Sequence, residues 1–213
     1  MLIPMKTIAF LLPERANIAT MENARQGFMA ANLYLQRSQR APCFDVRVVA
    51  AQAQVRLDGG RITVNADSTL RDVGAVDICV VPPLAGDIPV AVNANAMMTE
   101  WLVGHHGSGG EVASLCLGAA LPAAGQLLND QQAVVHWAAC TDYGMMFPNN
   151  IIMPLFPPIP MKAKYFVMIY AAIELFSGIG RFAGDNVAHF AHLGGAITGF
   201  ILIMIWKRSG ELY

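Results

Sequence analysis

The sequence predicts an α/β doubly wound parallel sheet, flavodoxin-like and truncated, followed by an α-helical transmembrane hairpin. Three observations lead there. Short valine-rich runs alternate with helical stretches up to about residue 142, which argues for a parallel sheet covered by helices. A nearly unbroken apolar run fills 187–206, long enough to span a bilayer. Composition also changes between these parts: before residue 142 Lys6 is the only lysine and isoleucine is sparse, whereas both are frequent afterwards.

Residues 6–12 form an apolar run stopped by Pro13, as a buried strand would be. Residues 19–36 carry apolar positions at helical spacing, with Thr20 as the expected cap. Residues 45–51 alternate as a strand, and Asp58-Gly59-Gly60 reads as a turn before a short strand at 61–64. Residues 76–81 are continuously apolar up to Pro82-Pro83, suiting the sheet centre. A helix is predicted at 94–103, a loop at 105–110, a strand at 111–116, a helix at 117–128 and a strand at 133–137. Pro122 lies past the first turn of the 117–128 helix, so a kink is expected there.

Charge and cysteine usage exclude several classes. Net charge is −1, which offers no electrostatic case for nucleic acid. Charged residues make up 14% of the chain, low against the roughly 25% of soluble domains, and this points to membrane contact. Cys43, Cys79, Cys116 and Cys140 follow neither metal-ligand nor disulfide spacing, so reduced thiols are expected, with no metal and no cofactor. The amino terminus lacks the pattern of a signal peptide.

The chemistry of the first half centres on Cys116. It falls where a strand gives way to a helix, and Gly118 and Ala119 behind it allow a sharp turn. The free amides and dipole of a helix start favour a thiolate. His136 follows near the end of the next predicted strand, where a βαβ unit would return it beside the thiol as an activating base. The competing interpretation is an inert core cysteine and an unrelated histidine, which the usual behaviour of free cysteines favours.

The stretch Glu111-Val112-Ala113-Ser114-Leu115-Cys116-Leu117-Gly118-Ala119, with Leu127-Leu128, Val135-His136-Trp137 and Trp101-Leu102, resembles the class I glutamine amidotransferase-like (PfpI-type) domain. It resembles in particular the version found in AraC-family transcription regulators, over residues 5–142. The resemblance implies that Cys116 is the elbow nucleophile or sensing thiol and His136 its partner. Enzymes of that superfamily often add an early acid, for which Glu22 is the nearest candidate, although an exposed helix carboxylate is the simpler account. The regulators' helix-turn-helix module has no counterpart here, so DNA binding is not expected.

The second half, 143–213, reads as a hairpin with membrane helices at about 162–180 and 187–206. Prolines at 154, 157, 158 and 160 keep 151–160 from being helical. The first helix is short and carries Glu174, and a glycine-containing turn is expected at 178–185. Lys162 and Lys164 before it, and Lys207-Arg208 after the second helix, put both ends in the cytoplasm, at the inner membrane. The Gly195-x-x-x-Gly199 spacing suits close helix packing, so lipid and other transmembrane helices are the expected partners.

The segments 156–166, Ile173-Glu174-Leu175-Phe176-Ser177-Gly178, and Asn186-Val187-Ala188-His189-Phe190-Ala191-His192-Leu193-Gly194-Gly195 resemble the carboxy-terminal third of bacterial rhomboid intramembrane serine proteases. The resemblance implies that His192 is the general base, with no role assigned to His189. Rhomboids carry their nucleophile in Gly-x-Ser-Gly, a motif these residues lack. A base without a hydroxyl to activate performs no acyl transfer. Glu174, His192 and the packing glycines would then face lipid.

The expected whole is a fusion of a PfpI/AraC-regulator-type sensor domain with a rhomboid fragment, catalytically incomplete and joined without a flexible linker between 141 and 149. Two alternatives are a membrane-tethered Cys–His sensor or hydrolase, and a rhomboid fragment completed by helices from another chain.

Overall fold

A computed structural model describes residues 4–135, 139–153 and 159–180, together with 194, 195, 197–199, 201, 204, 205 and 208. The chain divides into two compact units, Met1–Leu127 and Leu128–Tyr213.

The first unit opens with β1 (Lys6–Leu11), α1 (Ile18–Arg37) and β2 (Phe44–Ala50). A hairpin of β3 (Gln54–Leu57) and β4 (Ile62–Asn65) follows, then β5 (Ser68–Thr69) and β6 (Ile78–Val81). The helices α2 (Ile88–Ala94) and α3 (Ala96–Gly107), the strand β7 (Glu111–Ser114), a 3₁₀ turn at Cys116–Ala119 and α4 (Ala120–Ala124) complete it. Five strands pair in the order β5-β2-β1-β6-β7, all parallel. The chain builds outward from β1 on one side and returns to β6 on the other, which makes the β1–β6 boundary the switch point of a doubly wound sheet.

Side-chain period explains why both faces are covered. Ile8, Phe10 and Leu12 alternate with Ala9 and Leu11, and all five are buried. The first set joins Met21, Val48, Ala50 and Val80 in one core cluster. Phe28 of α1 meets Phe10 and Phe44 edge-to-face, with ring centroids 5.8 and 5.1 Å apart. Buried Ala91, Val92, Met98, Leu102 and Leu121 come from α2, α3 and α4.

The strands at 6–12, 45–51 and 76–81 and the helix at 19–36 are found within a residue or two of expectation. Four details differ. Asn17, not Thr20, caps α1, its side chain accepting the Thr20 N–H at 3.1 Å. The helix expected at 94–103 is α3, which starts at Ala96 and runs to Gly107, so His105 and His106 are helical rather than in a loop, and the short α2 before it was not expected. The helix expected at 117–128 is a 3₁₀ turn plus a five-residue helix ending at Ala124, with Gly125 as its cap, because a glycine-containing turn and Pro122 leave too few amides for a long helix. The β3–β4 hairpin adds one strand, 54–57, beyond the expected turn and strand.

The second unit contains β8 (Gln132–Ala133), α5 (Cys140–Met146), β9 (Ile151–Ile152), β10 (Met161–Lys162) and α6 (Ala163–Gly180). Its three strands pair in the order β10-β9-β8, so β8 does not extend the five-stranded sheet. Asp130 and Lys162 are ion-paired at 2.5 Å. Tyr143 and Asn150 are fully buried and joined by a 2.8 Å bond from the amide to the phenol oxygen. The helix α5 runs through the boundary expected near 142.

No described helix is long and apolar enough to cross a membrane. The first expected membrane helix corresponds to α6, with nearly the bounds expected, and the helix continues to Gly180 where a turn was predicted. Most of the second expected helix, with His189 and His192, lies outside the described residues. Glu174 does not face outward as expected: it is 8% exposed, while Met168, Ile173 and Phe176 on the same helix are more than half exposed. Nor does the Gly195/Gly199 pair meet a described backbone: a Cβ at Gly195 would touch nothing within 4 Å, and one at Gly199 only the Met145 side chain.

Candidate functional site

The carboxyl edge of the sheet brings together the ends of β1, β6 and β7. After Ser114 pairs with Val81, the Leu115 N–H still donates to the Val81 carbonyl at 2.9 Å. The chain then reverses at Cys116, whose φ of 51° lies in the left-handed region. That conformation costs a non-glycine residue of order 1–3 kcal/mol and persists only where the surroundings enforce it. Here the enforcement is visible. The Gly118 N–H closes onto the Leu115 carbonyl at 2.9 Å, and a Cβ at Gly118 would lie 2.5 Å from the carbonyl oxygens of both Val81 and Pro82. The turn therefore presses against the end of β6, leaving Cys116 half-buried at the sheet edge.

Cys116 is a free thiol, as are Cys43 and Cys79. Cys79 is fully buried in β6, and burial pushes its thiol far above the ordinary range. It is chemically silent at neutral pH. A strained, half-exposed cysteine at a strand end is the arrangement a nucleophile needs, once a base removes its proton.

The remaining site candidates are distributed differently. His136 lies outside the described residues, and β8 before it pairs with β9 in another sheet, so the βαβ return does not form through β8. Glu22 sits in the first turns of α1, held by both Nε and Nη2 of Arg25 at 2.8 Å and by Gln26 at 2.6 Å. The Arg25 guanidinium, helped by the Gln26 amide, lowers its carboxyl to about 2. It is an ionised helix-surface carboxylate at neutral pH. His192 is outside the described residues.

The turn after β1 is held by a residue the sequence did not single out. Asn95, 5% exposed, accepts the Glu14 N–H at 2.8 Å and donates to the Glu14 and Ala91 carbonyls at 3.0 and 2.7 Å. It thereby ties the turn after β1 to the α2–α3 junction. A cleft of about 480 Å³ opens there, lined by Glu14, Gln52, Arg56, Asn95 and Met97 among others, and Cys116 is not in its lining. Among the described residues, no group of His, Cys, Asp and Glu could hold a metal ion.

A parallel sheet in this strand order is the flavodoxin-like α/β fold of DJ-1/PfpI-type proteins. Solved structures with that fold align accordingly. A protein assigned as a transcriptional regulator from Vibrio parahaemolyticus aligns at TM-score 0.58 and 16% identity, over 82% of this chain and 92% of that one. A ThiJ/PfpI family protein from Pseudomonas syringae aligns at TM-score 0.53 and 13% identity, over 93% and 88%. A mutant DJ-1 superfamily protein from Salmonella typhimurium aligns at TM-score 0.50 and 18% identity, over 91% and 98%. At such identities the likeness is one of fold. No protein-family model matches the chain, and no curated protein does. The rhomboid resemblance stays with the sequence motifs alone.

Proposed function

We propose that the first unit is a PfpI/AraC-regulator-type sensor domain in which Cys116 is the reactive thiol. The left-handed backbone at Cys116, clamped by Gly118 beneath the β6 carbonyls, is the observation that carries this reading. The assignment of a similar fold to a transcriptional regulator supports the sensing role. His136 is the proposed base, on the strength of the Val135-His136-Trp137 motif.

Alkylation by iodoacetamide at pH 7, followed by peptide mass spectrometry, tests it. Cys116 reacts faster than Cys43, Cys79 reacts only after denaturation, and His136→Ala slows Cys116 alone. Equal rates for Cys116 and a denatured reference would refute the reading.

The second unit is proposed to be a rhomboid-like membrane hairpin that tethers the sensor to the inner membrane, with lipid as its partner. The support is the His189-to-Gly195 motif and the outward apolar face of α6, where Met168, Ile173 and Phe176 are 66%, 56% and 72% exposed. Exposed apolar surface of this kind is unusual on a soluble monomer. These 213 residues hold no Gly-x-Ser-Gly, so His192 has no serine of its own to activate. Proteolysis of a transmembrane substrate by the purified chain, lost in His192→Ala, would overturn that reading.

A further inference from the structure

A second cleft, of about 700 Å³, lies at the opposite edge of the sheet from Cys116, at the amino ends of β1, β6 and β7. Its volume is in the range of small-molecule sites. One wall is aromatic. Trp101 and His105 lie one helical turn apart on α3 and stack almost parallel, with centroids 5.1 Å apart and planes inclined by 4°. His105 is rigidly held: it is 9% exposed, its Nε2 bonds the Glu111 carbonyl at 3.1 Å, and its ring lies where any Cβ at Gly110 would have to be, 2.0 Å from Cε1. The half-exposed indole of Trp101 is thus backed by a fixed imidazole.

The other wall is charged and unbalanced. Lys6 and Asp77 neutralise each other across 2.5 Å, and Asp77 also accepts the Thr7 N–H. The exposed Glu111 carboxylate makes no hydrogen bond among the described residues and shares the field of Lys6 with Asp77, so the lining carries two carboxylates against one lysine. Glycines keep the space open: a Cβ at Gly74, Gly104 or Gly109 would meet nothing within 4 Å.

We infer that this cleft binds a small molecule carrying a planar aromatic ring and a cationic amine, the ring stacked on Trp101 and the ammonium paired with Glu111. An indole wall beside two carboxylates that share one lysine favours that combination, since a cation gains from both the ring quadrupole and the excess negative charge. A carboxylate-bearing ligand would instead meet two acidic groups against one lysine.

Isothermal titration of the full chain with 2-phenylethylamine tests the inference, with 3-phenylpropionate and 2-cyclohexylethylamine as the anionic and non-aromatic controls. The amine binds saturably at one site, and Glu111→Gln weakens it about two- to fivefold, the scale of an exposed ion pair. Both controls bind more weakly. Trp101→Leu removes packing as well as the ring, so Gly104→Leu serves as the second variant: it fills open space on a helix, where leucine is favoured over glycine, and blocks binding. Absence of saturable binding, indifference to both Glu111→Gln and Gly104→Leu, or equal binding of 3-phenylpropionate would each overturn the inference.

Discussion

Gly118 lies so close to Pro82 that a Cβ on it would be 2.5 Å from the proline carbonyl oxygen. The contact joins two strand ends far apart in sequence, and it forces the chain to turn at Cys116 rather than beyond it. Gly118→Ala must push the elbow off β6. It should cost about 1–3 kcal/mol, the range of overpacked substitutions, and slow alkylation of Cys116 together with it. Urea unfolding followed by circular dichroism measures the first and mass spectrometry the second. Gly27→Ala in α1 is the control, since a Cβ there meets nothing within 4 Å and alanine favours a helix interior by roughly 0.5–1 kcal/mol.

Asn95 offers a separate test of the same edge. Asn95→Ala leaves the Glu14 amide and carbonyl without their buried partner, and such groups cost about 1–3 kcal/mol each when unsatisfied. A lowered thermal midpoint is expected, with the turn after β1 gaining hydrogen exchange. An unchanged midpoint would show that water replaces the side chain at no cost.

Glu22 gives a pH dependence of known sign. Its folded carboxyl titrates at about 2, below the ordinary 4.5, because Arg25 and then Gln26 hydrogen-bond the charged form. The contribution is therefore complete above pH 4.5 and is lost as the pH falls towards 2. The side chain is 41% exposed, so solvent screening keeps the effect under about 1 kcal/mol. Glu22→Gln should be slightly less stable at pH 7 and equal to wild type near pH 2, with Cys116 reacting at the same rate. A slower thiol in this variant would return Glu22 to the site.

The apolar face of α6 predicts vesicle binding. Phe176 and Ile173 are exposed on it, and each aspartate placed in a membrane-centred helix costs roughly 2.5–3.5 kcal/mol. Wild type should float with phosphatidylcholine–phosphatidylglycerol vesicles in a density gradient, and Ile173→Asp with Phe176→Asp should not. A wild-type chain that stays at the bottom, monodisperse without detergent, would exclude the tether.

Much of the first unit was legible because its signals are local. Proline stops β1 and β6 at Pro13 and Pro82, valine alternation marks β2, and apolar spacing marks α1. The turn at Cys116 was legible for the same reason: small residues after a strand are written in adjacent positions. The strand β3 was missed because Gln54–Leu57 is short and takes its identity from pairing with Ile62–Asn65. His105 was left out of a helix because the glycines around it argue against one, and stacking on Trp101 overrides them.

Sequence alone determined where the chain is apolar and where it must turn, since each depends on neighbours within a few residues. Tertiary structure decided the partners. It put β8 against β9 instead of in the parallel sheet, buried Glu174 on a helix that exposes Met168, Ile173 and Phe176, and pressed Gly118 under the Pro82 carbonyl. Hydrogen-bond pairing between strands, and the space left for a side chain, depend on residues tens of positions away, and no local pattern records them.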